Sequence, residues 1–200
     1  MSESLVASHP TVGPLLTERA QRAKLLEAMV QVVAEKGYAA ATVADAVRVA
    51  KVSRGTFYEL FESKQACLSE AYRLGVEVLE QRIADAVKNA TTGDDEIRLG
   101  LRAYLRALND EPRFARVHLL EWDALGRERQ QAISHFARRY GKSFKKAGRT
   151  VPPTDALFVL SAGIDQLVKA RLRDGQDVTD LEDTLVGCAL RLATKEEPWT

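Results

Sequence analysis

The chain has 200 residues, of which 28% are charged and 46% hydrophobic, and its formal net charge at pH 7 is +1. This length suits one large domain or two small ones, and the composition is that of an ordinary soluble globular protein. A net charge so close to zero gives no general argument for nucleic-acid binding, so any such argument has to come from a local motif.

Cysteine usage and hydropathy argue against two further classes of protein. Cys67 and Cys188 lie far apart inside helix-like segments, which is neither a disulfide framework nor a metal-binding pattern and favours a reducing compartment. No apolar run reaches the roughly 18 residues that a membrane span needs, and the N-terminus lacks a signal-peptide pattern. We therefore expect a cytoplasmic protein without a membrane partner.

The first part of the chain predicts an arm followed by four helices. Residues 1–16 contain Ser, His, Pro and Gly without a hydrophobic period, which indicates a flexible arm. Capping residues then occur at intervals, each followed by apolar residues at helical spacing. These predicted caps are Thr17, Thr42, Ser53 and Ser63. Gly37 ends the first helix, and the fourth helix extends to about residue 89, which is long enough to link two parts of a molecule.

The remainder of the chain predicts five more helices and no strand. Glycine, proline and acidic residues separate segments whose apolar residues recur at helical spacing. We therefore expect about nine helices and an all-α fold. The domain boundary is placed at the start of the fourth helix, with a helix-turn-helix domain over residues 17–63 and a helical ligand-binding and dimerisation domain over residues 64–200.

The segment from Thr42 to Lys64 has the features of a helix-turn-helix motif. Its first helix is short, Val52 supplies an apolar residue in the turn, and the next helix begins with exposed polar residues. Arg54 could bond a guanine edge with both arms of its guanidinium, and Gly55 would let the backbone approach the bases. The predicted DNA contacts are Thr42, Val43, Ser53, Arg54, Gly55, Thr56, Tyr58 and Lys64. The alternative is a helical hairpin whose polar face is merely solvated.

Residues 25–72 resemble the N-terminal region of TetR-type (tetracycline-repressor-like) transcriptional regulators. The matching features are the EKGY helix end, Thr42-Val43 with Asp45, the run VSRGTFY, Phe61 and Ser63-Lys64. The resemblance implies a homodimeric DNA-binding regulator, usually a repressor, whose C-terminal helices form a ligand cavity and a dimer interface. Val47 and Lys51 depart from the family pattern, which commonly has a small Ala and a Gly at these positions. A non-glycine residue in a left-handed turn costs about 1 kcal/mol, so we expect the fold to be kept.

Aromatic residues at helical spacing in the C-terminal helices could line a ligand cavity closed by the long fourth helix. The same stripe could instead be plain hydrophobic core. His118 and Asp165 are the polar residues that would set ligand choice, although each could have a structural role. The predicted ligand-binding residues are Tyr104, Phe114, His118, Trp122, Phe136, Tyr140 and Asp165. Six basic residues within 138–149 indicate a solvated helix end or, alternatively, a second contact to DNA or another anion.

Apolar stripes on the last two predicted helices fit a four-helix interface between two copies of the chain. The predicted interface residues are Leu157, Leu160, Ile164, Leu167, Leu181, Leu185, Cys188 and Leu192. The alternative is that these stripes cover the core of a single copy.

Catalysis is not expected, because the sequence lacks a glycine-rich phosphate loop, metal-ligand spacing and a nucleophile elbow. We also expect no cofactor. The resulting hypothesis is a homodimeric repressor that binds a double-stranded DNA operator and is released by a small-molecule effector. The alternative is a helical dimer that binds a protein or a small molecule without specific DNA binding.

Overall fold

The computed structural model describes residues 12–192, without the side chains of residues 12–14 and 122–123. Within these residues the chain forms nine α-helices, one short 3₁₀ helix and no strand, which confirms the all-α prediction. The α-helices are α1 Val12–Lys36, α2 Val43–Ala50, α3 Arg54–Leu60, α4 Lys64–Val87, α5 Gly93–Asp110, α6 Pro112–Leu120, α7 Trp122–Lys146, α8 Thr154–Arg173 and α9 Glu182–Leu192, and the 3₁₀ helix is Thr179–Leu181.

Helix α1 begins at Val12 rather than at the predicted cap Thr17, so it includes part of the segment 1–16 that was predicted to be a flexible arm. The physical reason lies in Pro14, which occupies the first helical turn, where the missing N–H of a proline has no helical partner to lose. Residues 1–11 of the predicted arm lie outside the described residues.

The chain divides into two compact units, with the boundary between Leu68 and Ser69 inside α4. In the first unit, α1 packs against α2 and α3. The side chains that are fully buried there include Leu25, Met29, Val33, Phe57 and Leu68. Arg22 lies with its guanidinium 4.6 Å from the centre of the Phe61 ring and donates to the Leu60 carbonyl at 3.2 Å. This contact holds the end of α3 against α1.

The turn between α2 and α3 contains a left-handed residue that is not glycine. Lys51 has φ 55° and ψ 44°, and it is the one non-glycine residue with a positive φ in the described part of the chain. Its N–H bonds the Val47 carbonyl, and the N–H of Val52 bonds the same carbonyl at 3.1 Å. The turn therefore has the conformation that glycine would favour, at the position where the family pattern commonly has glycine.

Replacing Lys51 with glycine is expected to stabilise the first unit by up to about 1 kcal/mol, because glycine adopts a left-handed conformation without steric penalty. The matched control is Lys51→Ala, which removes the same charge but keeps the penalty. Urea unfolding followed by circular dichroism should show a higher midpoint for Lys51→Gly and little change for Lys51→Ala. An equal gain in both variants would assign the effect to the lost charge.

The second unit is a helical bundle in which α5 packs against α6, α7 and α9, and α7 packs against α8. The buried face of α5 presents large side chains at helical spacing, namely Leu101, Tyr104, Leu105 and Leu108. Arg149 donates to both oxygens of Asp94, at 2.7 and 2.6 Å, and so ties the segment after α7 to the start of α5. A kink at Leu125, with φ −125° and ψ 20°, interrupts the first turns of α7 next to Gly126.

Candidate functional site

The predicted helix-turn-helix begins with two capped helices. Thr42, a predicted cap, accepts a hydrogen bond through Oγ1 from the Asp45 N–H at 3.1 Å, and Asp45 accepts one from the Thr42 N–H at 3.3 Å, which completes a capping box. Ser53 Oγ accepts a hydrogen bond from the Thr56 N–H at 2.9 Å and caps α3. Each cap satisfies an N–H that has no partner within the helix, and caps of this kind stabilise a helix by about 1 kcal/mol.

Asp45 also ties α2 to the end of α1. Lys36 Nζ donates to Asp45 Oδ1 at 2.8 Å, and Arg48 Nη2 approaches the same oxygen at 3.2 Å. The hydrogen bond from Lys36 holds the pKa of Asp45 well below its usual range, and the hydrogen bond from Thr42 adds to this effect. A carboxylate at the start of α2 is also favoured by the helix dipole, so Asp45 has a structural role in this motif.

Helix α3 buries its apolar side and exposes polar groups. Phe57 is fully buried, with its ring centre 5.6 Å from that of Phe61. Arg54 and Gly55 are exposed, and Tyr58 is 53% exposed. Positions 54, 55 and 58 lie on one side of an α-helix. A guanidinium, a bare stretch of backbone and a phenol hydroxyl therefore share one solvent-facing surface.

Packing does not account for glycine at position 55. A Cβ added to Gly55 would have only Ser53 Oγ nearby, at 3.5 Å, which is an ordinary contact. A glycine inside a helix costs about 0.5–1 kcal/mol relative to alanine, so its use here favours close approach by a molecule outside the chain. Thr56 is half-buried, with Oγ1 2.9 Å from Ser53 Oγ, and Val43 is half-buried in the first turn of α2.

Lys64, a predicted phosphate contact, has a structural role as well. Its Nζ donates to the carbonyls of Tyr38 and Ala41, each at 2.8 Å, and lies 4.2 Å from the centre of the Tyr38 ring. Both carbonyls belong to the loop between α1 and α2, so the side chain ties this loop to the start of α4. An ammonium group has three donors, and the third is left for another acceptor.

A cavity of about 50 Å³ lies inside the second unit between α4, α5, α7 and α8. Its apolar walls include Ile83, Ile97, Leu101 and Ile133, and Ile83 belongs to the long fourth helix, as the prediction requires. Of the predicted ligand residues, those that line it are Tyr104, Phe136, Tyr140 and Asp165. Pockets for drug-sized molecules have roughly 300–1,000 Å³, so a ligand of that size would have to displace side chains.

Two polar residues of the cavity lining, Tyr104 and Asp165, are hydrogen-bonded to each other, and the buried cation that pairs with Asp165 was not predicted. Arg129 of α7 is 1% exposed, and its Nη2 donates to Asp165 Oδ2 at 2.6 Å. The Tyr104 hydroxyl donates to the other carboxylate oxygen at 2.7 Å. Burial raises the pKa of Asp165, against the attraction of Arg129, and it also raises the pKa values of Tyr104 and Tyr140. In the sequence Arg129 belongs to a charged run at 127–129, which gives no signal of burial.

Phe114 and His118 do not line the cavity. His118 is 1% exposed, and its ring stacks between those of Tyr72, at 5.5 Å, and Phe114, at 5.2 Å. Burial holds the pKa of His118 well below its ordinary value, and the nearby Arg129 adds to the effect, so both favour the neutral imidazole. These contacts give both residues a packing role between α4 and α6. The side chain of Trp122, the last predicted ligand residue, lies outside the described residues.

A basic groove on α7, here called the α7 groove, adjoins the cavity. Its lining residues are Val87, Glu96, His135, Arg138, Arg139, Lys142, Ser143 and Lys146. Arg139 and Glu96 also line the cavity. Lys146 pairs with Glu96 at 2.6 Å, whereas no ion pair to Arg138, Arg139 or Lys142 occurs among the residues that the structure describes. Positive charge therefore lies directly beside an apolar cavity.

The predicted dimer residues divide between core and surface. Those buried in the core of the second unit, as in the alternative, are Leu157, Ile164, Leu181 and Leu185. Leu160 and Leu192 are partly buried and pack against this core. Leu167 is 36% exposed, Cys188 is exposed, and Val159, which was not predicted, is 69% exposed. Apolar surface therefore remains on α8 and α9, but it is smaller than the predicted stripes.

The described residues also lack a membrane-spanning helix and a metal-binding cluster. In the described part of the chain, no helix is both long and apolar enough to cross a membrane. No group of three or more His, Cys, Asp or Glu side chains between residues 12 and 192 is placed to hold a metal ion. Both cysteines are free thiols, with Cys67 buried and Cys188 exposed.

Comparison with known sequences gives a family match in the N-terminal part of the chain. Residues 25–71 match the family of bacterial regulatory proteins described as the tetR family. The fatty acid metabolism regulator protein of Bacillus subtilis (strain 168) is 24% identical over 123 residues, which is 62% of this chain and 63% of that protein. The HTH-type transcriptional regulator YvdT of the same bacterium, itself uncharacterised, is 34% identical over 73 residues, or 36% of each chain. These matches span less than two thirds of either relative.

Solved structures share the fold over most of their length. The fatty acid degradation regulator FadR from Bacillus halodurans superimposes with a TM-score of 0.77 at 19% identity, over 85% of this chain and 94% of that one. The transcriptional regulator FadR from Bacillus subtilis, solved in complex with stearoyl-CoA, gives a TM-score of 0.75 at 16% identity, over 88% and 99% of the two chains. At such identities the likeness establishes a common fold. Residues 25–71 therefore match the tetR family of bacterial regulatory proteins, and the chain shares the all-helical fold of these solved structures.

Proposed function

We propose that this protein is a homodimeric transcriptional repressor that binds a DNA operator and is released by a small-molecule effector. In this proposal residues 17–63 form the DNA-binding domain, and residues 64–200 carry the effector site and the dimer interface. The observation that carries it is the solvent-facing surface of α3, where Arg54, Gly55 and Tyr58 are exposed on a capped helix that follows a left-handed turn. The second helix of a helix-turn-helix is the one that enters the major groove.

The roles proposed at the DNA follow from the chemistry of each side chain. Arg54 would read a guanine edge, and Gly55 would let the α3 backbone come close to the bases. Thr56, although half-buried, could reach a thymine methyl or a phosphate. Phosphate contacts would come from Ser53, from Tyr58 and from the third donor of the Lys64 ammonium group. The start of α2, at Thr42 and Val43, would add backbone N–H groups aimed at a phosphate.

Dimerisation through α8 and α9 is proposed from their outward apolar side chains. Val159 is 69% exposed and Leu167 36% exposed on α8, and Cys188 is exposed on α9. Burial of such groups between two copies contributes roughly 25 cal/mol per Å² of apolar surface. A two-fold dimer would present two α3 helices to successive major grooves, about 34 Å apart, and would recognise a palindromic operator.

The effector is proposed to have an apolar body and an anionic head. The apolar walls of the cavity would take the body, and Arg138, Arg139 and Lys142 in the α7 groove would take the head. The FadR structure solved with stearoyl-CoA makes long-chain and medium-chain acyl-CoA esters the first compounds to test. Because the cavity has only about 50 Å³, such a ligand would favour a wider conformation of the second unit. Release from DNA would follow if that conformation no longer matched the operator.

The direct test is binding of the purified protein to the DNA upstream of its own gene. A fluorescence anisotropy titration should show tighter binding to this DNA than to random duplex of equal length, at the same salt concentration. Addition of an acyl-CoA ester should then weaken the specific complex. If the protein shows no preference over random duplex, the repressor proposal is wrong and a helical dimer without specific DNA binding is favoured.

The α7 groove gives a separate prediction about the effector. Arg138→Gln with Lys142→Gln should weaken acyl-CoA binding about tenfold, because two exposed charges each contribute up to about 1 kcal/mol. Lys145→Gln is the matched control, since Lys145 is exposed on the same helix but does not line the groove. Isothermal titration calorimetry should find Lys145→Gln within about twofold of wild type. A loss of equal size in the control would mean that general charge, rather than the groove, attracts the ligand.

A further inference from the structure

We propose that the cavity recognises a neutral hydroxyl group on the buried, apolar part of the effector, and so favours a hydroxylated chain over the same chain without a hydroxyl. This inference rests on the proposed function, because it concerns the same effector site. It names the chemical class of the ligand more narrowly than an apolar body with an anionic head. The polar residues that carry it are Tyr104, Tyr140, Ser161 and Asp165, all of which line the cavity.

These four residues are here called the polar wall, and its one carboxylate is that of Asp165. It accepts from the Tyr104 hydroxyl at 2.7 Å and from Arg129 Nη2 at 2.6 Å, with one bond to each oxygen. An ionised carboxylate has about four acceptor positions, so accepting capacity is left after both bonds are made. The polar wall is therefore held in place by the protein while it can still accept a hydrogen bond from a ligand.

Two of the three hydroxyl groups of the polar wall can also accept a hydrogen bond from a ligand. The Tyr104 hydroxyl donates a hydrogen bond to Asp165, and the Ser161 hydroxyl donates one to the Leu157 carbonyl at 3.0 Å. Each of these hydroxyl oxygens can therefore accept a hydrogen bond from a ligand but cannot donate one. Tyr140 is the exception. Its hydroxyl makes no hydrogen bond within the described residues, and it therefore has a proton to donate. Several acceptors together with one donor suit an alcohol group, which donates once and accepts through its lone pairs.

The charge balance favours a neutral group over a cation. Arg129 lies 2.6 Å from Asp165, so the buried pair has no net charge to attract an ammonium group. A chain without a hydroxyl, laid against the same residues, would cover the Tyr140 hydroxyl and the Asp165 carboxylate without replacing the hydrogen bonds that these groups make to water. Covering a polar group in this way costs about 1–3 kcal/mol. Sites built to bond a hydroxyl consequently discriminate strongly against analogues that lack it.

The test compares octanoyl-CoA with its 3-hydroxy, 5-hydroxy and 8-hydroxy derivatives by isothermal titration calorimetry. At least one hydroxylated ester should bind wild type about tenfold or more tightly than octanoyl-CoA. Tyr140→Phe, which removes the donor, should reduce this ratio to about twofold or less, because the hydroxylated ester loses a hydrogen bond and octanoyl-CoA no longer covers an unpaired hydroxyl. Phe136→Leu is the control, because it alters the shape of the cavity without its hydrogen bonds and should shift all four affinities together.

Three results would overturn the inference, and the first two differ in whether the proposed effector site falls with it. If octanoyl-CoA binds as tightly as every hydroxylated ester, the hydroxyl preference is wrong while the proposed effector site stands. If none of the esters binds to a protein that still prefers its own operator, the proposed acyl-CoA effector fails and the hydroxyl preference fails with it. A preference that survives unchanged in Tyr140→Phe and in Ser161→Ala would also contradict the polar wall assigned here.

Discussion

Arg54→Ala is expected to reduce the affinity for the specific operator by about 1–3 kcal/mol for each half-site, with a much smaller loss on random duplex. The reason is that the exposed guanidinium lies at the N-terminal end of α3, where side chains of a helix-turn-helix contact base edges. An anisotropy titration of operator and random duplex at one salt concentration measures the affinity of each variant for each duplex. The ratio of the two affinities should fall toward one.

The controls separate base recognition from charge. Lys24→Ala removes one exposed positive charge from the same unit and should change the operator preference little. Lys64→Ala should weaken binding to all sequences similarly, and it should also lower the thermal midpoint, because Lys64 holds the carbonyls of Tyr38 and Ala41. If Arg54→Ala and Lys64→Ala weaken binding equally on every duplex, the division into base and phosphate contacts is wrong.

Local sequence signals located the helix caps of the first unit. Thr42 with Asp45 and Ser53 with Thr56 form caps because the partners are close along the chain, so spacing alone specifies the contact. The left-handed turn at Lys51 followed from the family resemblance, because the family pattern commonly has glycine at this position. The roles of Asp45 toward Lys36 and of Lys64 toward Tyr38 were not predicted, because they depend on how α1 meets the following helices.

Long-range packing decided the second unit, where sequence signals were less informative. Helical spacing identified apolar stripes on α8 and α9 but could not show which residues face the core, and Leu157 and Leu185 are buried while Leu167 is exposed. The absence of Arg129 from the predicted site residues is the larger error. An arginine in a charged run is ordinarily solvated, and only the packing of α7 on α8 brings it to Asp165.

Arg129→Met is expected to destabilise the second unit by about 3–5 kcal/mol, because it leaves the Asp165 carboxylate buried without its cation. Asp165→Leu should cost a similar amount, since it leaves a guanidinium that is 1% exposed without its carboxylate. A buried ion pair is costly to break from one side even when the complete pair adds little net stability. Urea unfolding followed by circular dichroism gives the free energy of unfolding for each variant.

Removing the whole polar group should reverse most of this loss. The triple variant Arg129→Met, Asp165→Leu and Tyr104→Phe leaves neither a charge nor the Tyr104 hydroxyl without a partner, so its stability should return to within about 1–2 kcal/mol of wild type. Lys146→Met is the control, because it breaks a partly exposed ion pair with Glu96 and should cost less than about 1 kcal/mol. A triple variant no more stable than Arg129→Met would show that the guanidinium contributes packing rather than charge compensation. Recovery together with loss of the hydroxyl preference would instead assign the polar group to ligand recognition, because a cluster that the fold does not need for stability requires another reason to be buried.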